Sequence, residues 1–160
     1  MKIALIVTGV GLAVLAAAFV LRALASGHGP VIRVRDVPRA IAELRRKGGE
    51  HSFLVLMFDP PGRPGADAIN LQLSIDNARL GLDWVLLSSA NRADRPRVEA
   101  FIRQHGHECR EEGANDVHFL RVEDGDLSEL ASAILTDLYG LKPEDRIDTV
   151  AEGFRPEGGL

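Results

Sequence analysis

Two histidines and the only cysteine of the chain lie in a short stretch where they could bind a metal ion. His107 and Cys109 alternate along a predicted strand, so both side chains are expected on one face, and His118 lies on the strand that follows. Imidazole and thiolate groups are common protein ligands of zinc. A metal site formed by His107, Cys109 and His118 is therefore one hypothesis for this hairpin.

The same stretch also has an ordinary structural explanation. Gly106 is typical of a helix end, and His105 would then lie at the helix C-terminus, where a positive charge is favourable. Cys109 would pack as a small hydrophobic residue. Because one cysteine cannot build a multi-thiolate zinc site or a disulfide scaffold, we favour this explanation and expect neither a metal nor another cofactor.

The common motifs of nucleotide binding and hydrolysis are absent. The sequence contains no G-x-x-x-x-G-K-[ST], no G-x-S-x-G, no H-E-x-x-H and no G-x-G-x-x-G after a predicted strand. No residue is therefore assigned a catalytic role, and a non-enzymatic function is the preferred interpretation.

A candidate binding face follows from alternating residue types in the segment 69–76. Four aliphatic residues alternate there with polar ones, which predicts a strand with one dry face and one solvent-facing side. The next predicted strand contributes Asp83. The candidate binding residues are thus Asn70, Gln72, Ser74 and Asp83.

These residues must be positioned by an α+β domain with an antiparallel sheet of about five strands. The predicted order is α-β-β-β-α-β-β-α, with an optional final strand. Asp36, Asp94 and Asp126 are predicted to begin the three helices, and Trp84 is predicted to lie in the core with its indole N–H on a backbone acceptor. The predicted strands cover 53–58, 69–75, 80–86, 108–112 and 117–122, with 147–152 as the optional one.

This element order resembles the fold shared by class I type III secretion chaperones and YbjN-like proteins. The resemblance covers about residues 36 to 140 and rests on element order, without a shared motif. It implies a small, often acidic, dimeric binding domain, and it transfers no site residue because fold alone does not define function.

The N-terminal segment is predicted to be a membrane anchor. Residues 3–21 are 19 consecutive uncharged residues, about the length needed to cross a hydrocarbon core of roughly 30 Å. The alternative is a secretory signal cleaved near Ala25, but the apolar run exceeds a usual signal core and Arg22 lies before that position. More basic residues follow the segment than precede it, which favours a cytoplasmic domain.

The predicted organisation is an anchor at 1–25, a linker at 26–35, a globular domain at 36–155 and a tail at 156–160. Residues 1–30 contain Lys2 and Arg22 and no acid, which leaves 17 basic against 23 acidic residues in the rest, a net charge of −6. An acidic domain is a poor general ligand for nucleic acid.

Together these features predict a membrane-anchored module that binds a protein partner or a second copy of itself, through its sheet or a strand edge. The alternative function is that of a small metal-dependent protein or enzyme centred on His107, Cys109 and His118.

Overall fold

The computed structural model describes residues 30–114 and 116–156. Within that part of the chain, three α-helices accompany seven strands. The helices are α1 (Val37–Lys47), α2 (Ser89–Gln104) and α3 (Leu127–Ala133), and α3 continues as a π-helical turn (Ile134–Leu138). The strands are β1 (Val31–Arg33), β2 (Phe53–Phe58), β3 (Ile69–Asp76), β4 (Arg79–Val85), β5 (Arg110–Ala114), β6 (Val117–Val122) and β7 (Arg146–Glu152).

All seven strands form one antiparallel sheet in the order β1-β7-β2-β3-β4-β6-β5. The predicted α+β class with an antiparallel sheet is confirmed. The sheet is larger than the five strands expected, because the optional strand forms as β7 and a further short strand, β1, pairs with it. Residues 31–35, which the sequence assigned to the linker, therefore begin the folded domain.

One face of the sheet packs against the helices, and we call it the helix face. Leu73 of β3 lies between Leu54 of β2 and Leu82 of β4, and all three are fully buried. The main hydrophobic cluster joins these strand residues to the buried apolar residues of all three described helices. The predicted dry face of the segment 69–76 is thus confirmed.

The ends of the helices agree with the predictions only in part. Asp126 caps α3 as expected, since its carboxylate accepts hydrogen bonds from the backbone N–H groups of Ser128 and Glu129. Asp36 precedes α1, but its side chain forms no capping hydrogen bond and instead lies 3.6 Å from Arg39.

The predicted start of α2 at Asp94 is wrong. The helix begins at Ser89, and the hydroxyl of Ser88 accepts the capping hydrogen bond from the N–H of Asn91. Asp94 and Pro96 therefore lie inside the helix. The Asp-x-Pro sequence mimics a helix start, but the preceding turn is held in place by burial of Ala90 and Asn91.

In the described ranges, no helix has both the length and the apolar character needed to span a bilayer. The predicted anchor at residues 3–21 lies outside them.

Candidate functional site

The face of the sheet opposite the helices carries the predicted binding residues, and we call it the second face. Asn70, Gln72 and Ser74 alternate along β3, and Asp83 of β4 lies directly opposite Gln72. The structure therefore brings all four onto one surface, as the alternation predicted. Cross-strand pairing adds Phe53, Val55 and Met57 from β2, Gly81 and Val85 from β4, Phe119 and Arg121 from β6, and Val150 from β7.

The expectation that this face is solvated is wrong. Gln72 and Asn70 are each 7% exposed, Ser74 5% and Asp83 2%. β3 and β4 are central strands, so Val55 and Met57 of β2 lie beside these polar groups on one side and Arg121 of β6 contacts them on the other. Sequence alternation reports the polarity of a face, whereas burial depends on neighbours that are distant along the chain.

The second face has an apolar end and a polar end. Phe53, Val55, Met57 and Val150 form a hydrophobic cluster separate from the main core. One cross-strand row runs from this cluster through Gln72 and Asp83 to Arg121. Apolar contact and hydrogen bonding are thus available side by side, which is the composition of a protein-binding surface.

At the polar end, Arg121 is the centre of a buried ion-pair network. Its Nη1 donates to Oδ1 of Asp83 at 2.8 Å and to Oγ of Ser74 at 3.1 Å, and its Nε donates to Oε1 of Glu123 at 2.8 Å. The Ser74 hydroxyl donates in turn to Oδ2 of Asp83 at 2.7 Å. Three strands are therefore linked through one guanidinium group.

The ionisation of this network reflects its burial. Removal from water raises the pKa of the Asp83 carboxyl, although the Arg121 charge and the Ser74 hydroxyl oppose that shift. Burial also disfavours the charged form of Arg121, but its two carboxylate partners outweigh this and raise the pKa of the guanidinium. The hydrogen bond from Arg121 lowers the pKa of Glu123.

A glycine makes room for the guanidinium. A Cβ atom added at Gly81 would lie 2.5 Å from Nη2 of Arg121 and closer still to its Cζ. These separations are far inside van der Waals contact, so any other residue would have to displace the group. Gly81 is a position that the sequence analysis missed, and its proximity to Arg121 is visible only in three dimensions.

Within the described residues, Nη2 of Arg121 and Oδ1 of Asn70 on the second face are buried and have no hydrogen-bond partner. The rest of Asn70 is well held, because its backbone N–H donates to Oδ1 of Asn91 and its carbonyl accepts from Nδ2 of Asn91. A buried donor or acceptor without a partner is costly, so the face retains hydrogen-bonding capacity for a further group.

The alternative metal site is not assembled. Cys109 precedes β5, whereas His118 pairs with Gly113 near the other end of the hairpin, about 13 Å along the strand. His118 lies 3.4 Å from Glu111, and Nδ1 of His107 is 3.1 Å from the carbonyl oxygen of Asp124. Burial raises the pKa of the Cys109 thiol. Cys109 and His118 therefore lie in separate structural surroundings.

Among the described residues, one other group has metal-ligand side chains close together: Glu50, His51 and Asp76. Glu50 already has a role, because its carboxylate accepts hydrogen bonds from the backbone N–H groups of Asn77 and Ala78 in the β3–β4 turn. Those bonds lower the pKa of Glu50. Stabilisation of the turn therefore explains the position of the Glu50 carboxylate.

A cavity of about 430 Å³ adjoins that turn. Its lining includes Arg45, Glu50, Arg79 and Glu123, and Arg79 lies 3.4 Å from Glu123. Glu50 is bound to the turn and Arg79 is paired with Glu123, so these lining groups are engaged with the protein itself.

A second, partly buried network joins α2 to Tyr139, and sequence reasoning missed it. Asp94 accepts a two-pronged hydrogen bond from Arg63 and another from the hydroxyl of Tyr139 at 2.8 Å. Burial acts to raise the pKa of Asp94, but the hydrogen bonds from Arg63 and Tyr139 prevail and lower it. Tyr139 also stacks on Trp84, whose indole N–H donates to the carbonyl of Asn91 as predicted.

The edges of the sheet are poorer binding candidates than its second face. Edge strand β5 carries Arg110, Glu111 and Glu112, and charged edges disfavour pairing with another strand. The opposite edge, β1, is only three residues long.

Comparisons with protein-family models, curated proteins and solved structures find no match to this chain. The resemblance to type III secretion chaperones and YbjN-like proteins therefore stays a prediction from element order.

Proposed function

We propose that this protein is a non-enzymatic, membrane-anchored module that binds a protein partner through the second face of its sheet. One observation carries the proposal: the second face joins an apolar cluster to a buried polar row that retains hydrogen-bonding capacity, whereas the described helices pack on the opposite face. A surface of this kind suits a partner better than a reaction, because the Ser74 hydroxyl and the Asp83 carboxylate are both buried and both bound to Arg121.

The chemistry of the face defines the partner. Phe53, Val55, Met57 and Val150 would contact apolar side chains. Nη2 of Arg121 would donate to a carbonyl or carboxylate oxygen, and Oδ1 of Asn70 would accept from an N–H group. A polypeptide supplies all three kinds of group.

The predicted anchor would place this surface close to a membrane. Residues 3–21 would span the bilayer, and the basic residues after them favour a cytoplasmic position for the domain. Tethering raises the local concentration of the module near partners in the same membrane.

The test compares two identical substitutions at different places. Full-length tagged protein is chemically cross-linked in membranes and purified, as wild type, as Arg121→Lys and as Arg103→Lys. Lysine keeps the charge but loses the guanidinium fork, so Arg121→Lys should reduce partner recovery by about tenfold, the equivalent of one charged hydrogen bond.

Arg103 is the matched control, because it lies exposed on α2 and pairs with Glu99. Arg103→Lys should leave partner recovery unchanged, and thermal unfolding of both variants establishes that each is folded. Equal recovery from Arg121→Lys and wild type would contradict the assignment of the binding surface.

A further inference from the structure

The outer side of α1 is basic, although the domain as a whole is acidic. Residues 31–47 contain six basic and two acidic residues, a net charge of +4. Residues 48–160 contain 11 basic and 21 acidic residues, a net charge of −10. The net positive charge after residue 30 is therefore confined to β1, α1 and the turn between them.

Burial separates the two kinds of charge within this segment. Glu43 is buried, and Asp36 is half-buried beside Arg39. The exposed residues between positions 35 and 47 are basic, proline or alanine: Arg35, Pro38, Arg39, Ala42, Arg45, Arg46 and Lys47. We call this surface the basic face.

The spacing of the exposed residues places them on one side of the helix. Arg39, Ala42 and Arg46 are three and four residues apart, so they form a line along α1. The opposite side carries Ile41 and Leu44, which are buried in the main hydrophobic cluster. α1 is thus an amphipathic helix that packs on the helix face of the sheet and turns its basic side outward.

Two arginines of the basic face are not engaged elsewhere in the protein. Arg33 and Arg35 both pair with Glu144. By contrast, neither Arg45 nor Arg46 forms an ion pair within the described residues. Their guanidinium groups are therefore available to an anionic ligand that approaches α1 from outside.

We propose that the basic face binds the headgroups of an anionic lipid membrane and thereby orients the domain. Clusters of Lys and Arg on an amphipathic helix bind anionic lipid surfaces, and each basic residue strengthens binding by about fivefold. The inference rests on the proposed function for the nearness of a membrane, and it adds the class of lipid and the orientation of the domain. The charge of the basic face does not depend on the predicted anchor.

Docking through α1 would leave the second face open to a partner. α1 packs on the helix face, so the sheet lies between α1 and the second face. With the basic face on lipid, the second face would point away from the bilayer. Lipid and partner would then occupy opposite sides of the sheet, and both could be bound at once.

Lipid suits the basic face better than nucleic acid, the other common polyanion. A membrane surface requires positive charge on one side of the domain, which the basic face supplies. The exposed residues of the face include no aromatic ring on which a base could stack and no amide that could read a base edge. The acidic remainder of the chain would repel a polyanion that extends beyond α1.

The experiment measures the contact of each side of the domain with lipid in full-length protein. In a Cys109→Ser background, a fluorophore is attached at Ala42→Cys on the basic face or at Glu152→Cys. Glu152 is exposed and lies opposite Phe53 on the second face. The protein is reconstituted with phosphatidylcholine vesicles, with or without phosphatidylglycerol, whose headgroups carry a nitroxide quencher. Thermal unfolding establishes that each variant is folded.

Phosphatidylglycerol should increase quenching at position 42 by roughly threefold or more, whereas position 152 should stay unquenched. About 1 M NaCl should abolish the increase, because the screening length falls to about 3 Å. Arg45→Gln combined with Arg46→Gln should weaken docking by roughly tenfold or more. The matched control is Arg103→Gln combined with Arg110→Gln, which removes the same charge at exposed sites outside the basic face and should leave docking unchanged.

Four results would overturn the inference: no increase at position 42 with phosphatidylglycerol, equal quenching at positions 42 and 152, equal effects of the two double variants, or displacement from the vesicles by duplex DNA at equal phosphate concentration. Flotation with phosphatidylcholine vesicles alone reports separately on the predicted anchor. Protein that floats there without quenching at position 42 in either vesicle keeps the anchor and contradicts the basic face. Protein that floats only with phosphatidylglycerol, and is quenched at position 42, supports the basic face and contradicts the anchor.

Discussion

At the scale of single residues, the second face depends on the absence of a side chain at Gly81. The Arg121 guanidinium occupies the space that a Cβ would need, and from there it reaches Asp83, Ser74 and Glu123. A buried ion pair is most sensitive to the loss of one partner, since the other charge is then left in a poorly solvated place.

Gly81→Ala is accordingly expected to lower the free energy of unfolding by about 1–3 kcal/mol, because the methyl group displaces Arg121. Gly49→Ala is the control, since a Cβ there meets nothing within 4 Å. Urea denaturation measures both. In an Arg121→Met background, Gly81→Ala should lower the free energy of unfolding much less. If the loss of stability is the same in that background, displacement of Arg121 is not its cause.

Asp94 predicts a pH dependence of stability. Its pKa is lowered in the folded state, so its contribution is fully present above the pKa of the unfolded chain, near about 4, and is lost as the pH falls through the folded value. Asp94→Asn should destabilise the protein by about 1.5–3 kcal/mol at pH 7. In urea titrations the difference from wild type should be constant from pH 7 to about pH 5 and should shrink as the pH falls below about 4, and a difference that stays constant down to the acid limit of the titration would contradict the assigned network.

At the scale of elements, the β3–β4 turn contains two consecutive non-glycine residues with positive φ. Asn77 and Ala78 have φ values of 51° and 59°, a backbone conformation that is unfavourable for alanine. Glu50 holds the turn by accepting hydrogen bonds from both N–H groups.

Ala78→Gly is therefore expected to stabilise the protein by about 0.5–1 kcal/mol, because glycine adopts positive φ without a steric penalty. The identical substitution Ala93→Gly, at an exposed position in α2, should destabilise it by about 1 kcal/mol. Thermal or urea unfolding tests both signs. Destabilisation by both substitutions would mean that the turn is not strained at Ala78.

Elements with a strong local pattern could be predicted from the sequence, and the others could not. Alternation within 69–76 correctly identified β3 and its buried face, and Asp126 correctly marked the start of α3. β1 was missed because three residues carry no pattern and depend on pairing with β7. The first turns of α2 were missed because Asp94 and Pro96 resemble a helix start.

The candidate site also has features that could be predicted from the sequence and features that could not. The polar residues of β3 and β4 were placed together correctly, since period-two alternation and a tight turn determine their face. Their burial, the role of Arg121 and the space at Gly81 were not foreseen, because they arise where β6 meets β4, about 40 residues apart in sequence. Non-local contacts of this kind leave no local signal.

At the scale of the whole molecule, the two faces of the sheet differ in composition. Its helix face supplies the core, with Trp84, Tyr139 and Asp94 fixing the helices. Its second face contributes a smaller cluster and a polar row that is not fully satisfied. We propose that this asymmetry allows partner binding without disturbance of the main core.

The most direct measurement of this central claim is site-specific photo-cross-linking in membranes. A benzophenone amino acid is placed at Met57, on the second face, or at Ala93, on the exposed side of α2, in full-length protein retained in membranes after an alkaline carbonate wash. We predict a discrete protein adduct from position 57 that is absent from position 93. Retained protein that gives no adduct at position 57, or the same adducts at both positions, would contradict the second face as the binding surface.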